Sequence, residues 1–295
     1  MRPHHRLALA TCLALVVTAA DAGAPSAALR ATWRQPQAPE RVYGNTWYVG
    51  SRGLSAILIT SPQGHVLIDG TLAENAPMIE ANIRRLGFRV RDIKLILNTH
   101  AHADHAGAIA ALAHASGAEV VARGAQARAL RAGGEDSDDP QHGDAPLFPA
   151  VNGVRVIGDN DTVRVGLLAI QAHATPGHTP GSTSWSWTSC EGKHCRAMVY
   201  ADSLTLIAAG GYRYTDPAHP GRLGDFRRAL AMLSALPCDI LMTPHPEASD
   251  LLERLSRRDA GDQRALRDPG ACKEYARLGE QSMQQRIREE RVLAR

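Results

Sequence analysis

No block of one charge sign runs through this sequence. Lys and Arg number 33 against 30 Asp and Glu, for a formal net charge of +3, and no basic run forms the footprint a nucleic-acid partner needs. Nucleic acid is therefore not expected to bind. Long apolar runs are also absent. The stretch Leu7 to Ala20 is about 14 residues, short of the roughly 20 that cross a bilayer core of about 30 Å. Neither SxxK nor GxSxG occurs, which argues against a serine nucleophile even though Ser182 and Ser203 are present. Aromatic residues make up 4% of the chain, and Trp33, Trp47, Trp185 and Trp187 are assigned to packing rather than ligand stacking. Trp185 and Trp187 alternate on one strand and so share a face, while Trp33 is a candidate for the rim of a cleft.

Cysteine is scarce as well, with five in 295 residues. Cys12 lies inside an N-terminal segment that reads as a secretory leader. Arg2 and Arg6 supply a positive start, an apolar stretch follows, and Ala20-Asp21-Ala22 offers small residues for cleavage after Ala22. Residues 1–22 are thus expected to be a signal peptide. Cys12 sits within the apolar run rather than after it, so a lipoprotein signal is the poorer reading. The mature chain, 23–295, is expected to be a single periplasmic domain without membrane insertion, and a monomer. Its 44% hydrophobic and 21% charged residues are enough for a sizeable core. Export leaves Cys190, Cys195, Cys238 and Cys272 in an oxidising compartment, where three pairings are possible. The polar loop Glu191 to His194 between two strand-like runs favours Cys190 with Cys195, leaving Cys238 with Cys272. Four free thiols, or Cys190 and Cys195 as zinc ligands, are the alternatives.

The most informative feature present is His100-Ala101-His102-Ala103-Asp104-His105, directly after the apolar stretch Ile93 to Leu97. A turn leaving a buried strand can aim alternate side chains at one ion while the next residues swing toward another. His100 and His102 suit the first ion, Asp104 and His105 the second. Imidazole and carboxylate together favour zinc, and a catalytic zinc keeps one position open for water. A chance cluster in a chain with 13 histidines is the competing explanation. Two further histidines lie where strands meet stiff loops: His178 in Thr175-Pro176-Gly177-His178-Thr179-Pro180-Gly181, and His245 in Met242-Thr243-Pro244-His245-Pro246. Each completes one triad. His65, His114, His142, His173, His194 and His219 are read as ordinary surface or core residues.

Periodicity predicts strands over 41–50, 55–60, 65–69, 93–97, 119–122, 155–157, 162–165, 168–173, 182–187, 196–200 and 239–242. Helices are predicted over 74–86, 106–115, 126–131, 223–236, 250–258 and 271–288. Gly133 to Pro149, with Gly-Gly, an acidic patch and three prolines, should be a long surface loop. Both halves run from β-rich to α-rich. That order suggests an α/β protein in which two mixed sheets pack together with helices outside, an αββα sandwich.

The pattern HxHxDH, followed by a Gly-His-Thr turn and a late strand-end histidine, resembles the ligand signature of the metallo-β-lactamase superfamily over about residues 40 to 290. Within it the chain is most similar to subclass B3, on the hexad, Pro176 to Trp185, Ala201-Asp202-Ser203-Leu204-Thr205 and Cys238 to Pro246, including a disulfide from Cys238 to a later cysteine. The resemblance implies the metallo-β-lactamase fold and two Zn2+ ions, one on His100, His102 and His178, the other on Asp104, His105 and His245. It further implies hydrolysis of the β-lactam amide of penicillins, cephalosporins and carbapenems by zinc-activated water that Asp104 orients, conferring antibiotic resistance.

Ser203 and Thr205 would hold the substrate carboxylate, and Gln141 would approach the substrate from the long loop. The segments 73–77 and 139–143 would wall the cleft. The alternative within the superfamily is a thioester or lactone hydrolase like hydroxyacylglutathione hydrolase. Asp202 keeps it open, because that family places a bridging aspartate at the same point. A non-catalytic zinc protein would need closed four-ligand sites, whereas six ligands divided three and three leave both open.

Overall fold

The computed structural model describes residues 26–293, so the leader expected at 1–22 lies outside the described residues. Strands β1 (Glu40–Tyr43), β2 (Thr46–Tyr48), β3 (Ile57–Ile59) and β4 (His65–Ile68) pair antiparallel in chain order. The chain then crosses over through helix, so β5 (Ile93–Leu97), β6 (Glu119–Arg123) and β7 (Arg155–Ile157) add on parallel and complete a seven-stranded sheet. The second sheet has five strands in the order β12-β11-β10-β9-β8: β8 (Thr162–Val165), β9 (Leu168–Ala174), β10 (Thr183–Glu191), β11 (His194–Tyr200) and β12 (Ile240–Met242). Only β11 and β12 in it run parallel.

Period-2 alternation divides the apolar side chains between faces. Ile57, Ile59, Ile68, Leu95 and Leu97 of the first sheet meet Trp185, Trp187, Met198, Tyr200 and Met242 of the second, forming the inter-sheet core. Leu58, Leu67, Ile96 and Val120 point the other way. They are covered by α2 (Ala76–Arg85), α4 (Ile109–Ser116) and α5 (Gly124–Arg131), through Ile79, Ile83, Ile109, Leu112 and Leu130. On the far side, Val199 and Leu241 pack under α6 (Arg222–Ala235) and α8 (Ala271–Leu293) through Phe226, Leu230, Leu233 and Met283. Helix α7 (Leu251–Asp259) closes one end of the inter-sheet core with Leu251 and Leu255. The architecture is an αββα sandwich. No helix among the described residues is long and apolar enough to cross a membrane.

Three local departures from the periodicity have physical causes. The strand expected over 41–50 is a hairpin, because Gly44 takes a positive φ of 53° and turns the chain between β1 and β2. The helix expected over 106–115 is broken into α3 (Ala103–Ala106) and α4. A Cβ on Gly107 would sit 2.4 Å from the Ala103 carbonyl and 2.5 Å from the Ala73 amide, so glycine alone permits this approach between the turn after β5 and the segment after β4. A short α1 (Ala27–Thr32) also appears, its start capped by the Ser26 hydroxyl, which accepts from the Leu29 amide at 3.1 Å.

Both cysteine pairs form disulfides, Cys190–Cys195 and Cys238–Cys272. The first joins directly opposed residues of the β10–β11 hairpin, which extends further toward its turn than the apolar pattern indicated. Trp185 and Trp187 share the inter-sheet face.

Candidate metal centre

The site is assembled where strands end, and its foundation is a buried carboxylate. Asp69, just after β4, adopts a φ of 65° and is fully buried. Its carboxylate accepts from Asn98 Nδ2 (2.8 Å), Thr99 N (2.7 Å), Thr99 Oγ1 (2.8 Å) and the Tyr200 hydroxyl (3.0 Å). Gln126 Nε2 and Trp185 Nε1 both donate to the Asn98 carbonyl, at 2.8 and 3.1 Å. The turn that carries His100 is therefore clamped from four elements. Burial pushes the Asp69 carboxyl up to about 7, against the lowering effect of its hydrogen bonds to Thr99.

His100 and His102 leave this turn, Asp104 and His105 follow on α3, His178 comes from the β9–β10 turn, and His245 follows β12. The structure brings all six together. Ligand atoms of His100, His102 and His178 lie within 4.8 Å of one another, and their rings meet edge to face with centroids 4.6 to 5.1 Å apart. Asp104 Oδ2, His105 Nε2 and His245 Nε2 form a second group separated by 3.4, 3.5 and 3.2 Å. His100 also lies close to this group, with its ligand atom within 4.8 Å of those of Asp104 and His105. The two clusters are adjoining halves of one centre.

The donor set fits metal ions. His100 Nε2 is buried with no hydrogen-bond partner, which is costly unless an ion takes its lone pair. The opposite nitrogens of the first group are held from behind: His100 Nδ1 donates to Asp202 Oδ1 (2.7 Å), His102 Nε2 to Asp139 Oδ2 (2.9 Å) and His178 Nδ1 to the Thr205 carbonyl (2.9 Å). These acceptors select the tautomer whose free nitrogen faces the centre, the arrangement that metal-ligating histidines use. Burial, and for His100 the neighbouring imidazoles, lowers the pKa of His100, His105 and His178 and keeps them neutral. Burial lowers His102 and His245 too, but the hydrogen bonds they donate to Asp139 and Asp104 outweigh it and raise both. Asp104 is raised by burial, yet His105 and His245 hold it well below the usual carboxylate range.

Around the centre, Gln141 Nε2 reaches to 3.4 Å from His178 Nε2. Ser203 is buried, and Thr205 Oγ1 lies 3.1 Å from His178 Nδ1, so Thr205 touches that histidine through both its hydroxyl and its carbonyl. The Trp33 ring sits 5.6 Å from that of His245, its carbonyl held by Asn75 Nδ2 at 2.9 Å. The other histidines among the described residues stay outside. His65 packs on Phe88, His142 pairs with Glu135, His173 bonds Ser186, His219 stacks on Tyr212, and His114 and His194 are exposed. Sequence reasoning missed Asp69, and it placed Asp139 in the cleft wall without its contact to His102. Asp69 could have been sought as the polar residue ending a buried strand next to the hexad's strand, whereas nothing local marks Asp139 among the four acidic residues clustered over 135–139.

Residues 50–191 match the model of the metallo-β-lactamase superfamily. Over 90% of this chain and 100% of the other, the fold superposes on the Rm3 metallo-β-lactamase with a TM-score of 0.87 and 46% identity. The chain belongs to the metallo-β-lactamase superfamily. A second superfamily structure, a subclass B3 metallo-β-lactamase isolated from a soil metagenome library, is 46% identical over 88% of this chain and 99% of its own, with a TM-score of 0.86. Among curated superfamily proteins, a hydroxyacylglutathione hydrolase of Anaeromyxobacter dehalogenans is 35% identical over 124 residues. This chain spans 38% of that relative's length, so likeness along the whole molecule lies with the β-lactamases.

Proposed function

We propose that this protein is a zinc-dependent hydrolase of the β-lactam amide bond, acting on penicillins, cephalosporins and carbapenems in the periplasm after export. The observation that carries the reading is end-to-end likeness to β-lactamases of this superfamily, combined with two open three-ligand clusters. His100, His102 and His178 would hold one zinc, and Asp104, His105 and His245 the other. When bound, zinc supplies Lewis acidity and brings the ionisation of water close to neutral pH, which removes the need for a serine or cysteine nucleophile.

The remaining work falls to the chain itself. Asp104 directs Oδ2 at His105 and His245, leaving Oδ1 to accept a hydrogen bond from the attacking water and orient it. Asp202, Asp139 and Thr205 hold the imidazoles in register, so little reorganisation is needed as charge develops on the lactam oxygen. Ser203 and Thr205 would hold the carboxylate that β-lactams carry, and the Gln141 amide, 3.4 Å from His178 Nε2, would approach the substrate from the loop. The two disulfides accord with an oxidising compartment.

Asp202 bears on the thioester-hydrolase alternative. Its Oδ1 is engaged by His100 Nδ1, the nitrogen turned away from the ligand cluster, which fits an orienting role better than a bridging one. The decisive assay sets nitrocefin and a carbapenem beside a glutathione thioester, with zinc-loaded protein and after EDTA. Opening of the β-lactams, lost on chelation and restored by zinc, is expected. Cleavage of the thioester with no β-lactam turnover, or turnover indifferent to EDTA, would overturn the proposal.

A further inference from the structure

The loop over 133–149 has no regular structure, yet it is not free. Of its four clustered acidic residues, Glu135 and Asp138 are exposed and Asp136 is half-buried, while Asp139 is buried at 7% exposure. Asp139 uses both carboxylate oxygens. Oδ2 accepts from His102 Nε2 at 2.9 Å, and Oδ1 accepts from the Gln141 amide at 2.8 Å. One side chain thus grips a ligand histidine and the backbone of the residue that reaches toward His178. The loop is braced beyond that point. The Pro140 carbonyl accepts from the Ala209 amide (2.8 Å), Asp144 Oδ2 from the Gly210 amide (3.1 Å), and the Asp138 carbonyl from Arg222 (3.0 Å). The residues so held, Ala209 and Gly210, lie a few positions beyond the Ser203-to-Thr205 stretch beside the centre.

We propose that Asp139 is a positioning residue that couples the wall of the substrate cleft to the three-histidine metal site, setting metal affinity and substrate KM through one carboxylate. This rests on the reading of the centre as a zinc site. A neutral imidazole can offer Nδ1 to a metal only while its proton stays on Nε2, and a buried carboxylate behind Nε2 holds it there while raising the basicity of the ring. Removing that carboxylate leaves Nε2–H buried without an acceptor and frees the Gln141 amide at the same time. Both effects should appear together.

The test compares Asp139→Ala, Asp139→Asn and the exposed-site control Asp138→Asn. Zinc affinity is titrated against a chromophoric chelator, the cobalt-substituted proteins are examined by visible absorption, and kcat and KM are measured with saturating zinc. Asp139→Ala is expected to bind zinc about 10- to 100-fold more weakly, to alter the cobalt spectrum and to raise KM more than it lowers kcat, with Asp139→Asn intermediate and Asp138→Asn like the parent. Zinc affinity within about twofold of the parent in Asp139→Asn, or a KM effect without an affinity effect, would overturn the proposal. If Asp139→Ala does not fold, Asp139→Asn decides. If zinc-loaded parent protein opens no β-lactam, the functional reading fails while the chelator titration still reports on Asp139.

Discussion

Replacing Asp69 by alanine, with asparagine as the matched control, tests the clamp beneath the metal centre. Alanine strands four donors. The Thr99 and Tyr200 hydroxyls can turn to other acceptors, since Tyr200 already lies 3.3 Å from the Ser55 carbonyl, but Asn98 Nδ2 and the Thr99 amide cannot. Two buried unsatisfied donors cost about 1–3 kcal/mol each. Alanine also lacks the tolerance of aspartate for the left-handed backbone at this position, a further cost of about 1–2 kcal/mol. The expected loss is therefore roughly 3–8 kcal/mol, measured by urea unfolding of the metal-free protein. Asparagine keeps an acceptor and the backbone preference, and should lose far less.

The pH dependence separates the two variants further. The folded Asp69 carboxyl titrates near 7 against 3.8 for an unperturbed one, so the folded state holds its proton more tightly. Stability from this group is complete below about pH 4 and declines as pH rises through 7, by up to about 4 kcal/mol. Asp69→Asn removes the ionisation and with it this decline. Equal pH slopes for parent and Asp69→Asn between 4 and 8, or an alanine variant as stable as the asparagine one, would refute the reasoning.

Alanine at His100, His178 or Asp104 should reduce carbapenem hydrolysis by about 10²–10³-fold or more while leaving near-parental circular dichroism, and parental rates in the purified, zinc-supplemented variants would refute the ligand assignment. The disulfides should contribute unequally. On loop entropy, the Cys238–Cys272 ring, with a sequence separation of 34, stabilises by roughly 4 kcal/mol, and the Cys190–Cys195 ring, with a separation of 5, by roughly 2 kcal/mol. Cys238→Ala/Cys272→Ala should therefore lower Tm more than Cys190→Ala/Cys195→Ala, and the reverse order would show that strain or unfolded-state structure governs instead.

Much of the layer pattern was legible because it is local. Strand β5 occupies 93–97 as the apolar run predicted, and the alternation of Trp185 and Trp187 placed both on one face. Departures arose where a single backbone feature overrode the pattern, as at Gly44 and Gly107. The six side chains that the structure brings together were visible through spacing in the hexad and through stiff turns around His178 and His245. Their supports were not. Asp69 reaches Thr99 across 30 residues, Asp139 reaches His102 across 37, and Asp202 reaches His100 across 102. No period or motif records such contacts.

By itself, then, the chain determined which residue types could bind metal, where most of its strands and helices would lie to within a few residues, and which half of the molecule each belonged to. These follow from side-chain chemistry and from short-range periodicity. Tertiary structure alone decided which nitrogen of each imidazole faces the centre, which one of the five acidic loop residues is buried against it, and which sheet faces meet. Those outcomes depend on carboxylates and carbonyls brought from distant strands, where burial makes every unpaired polar atom costly and so leaves only one arrangement satisfied.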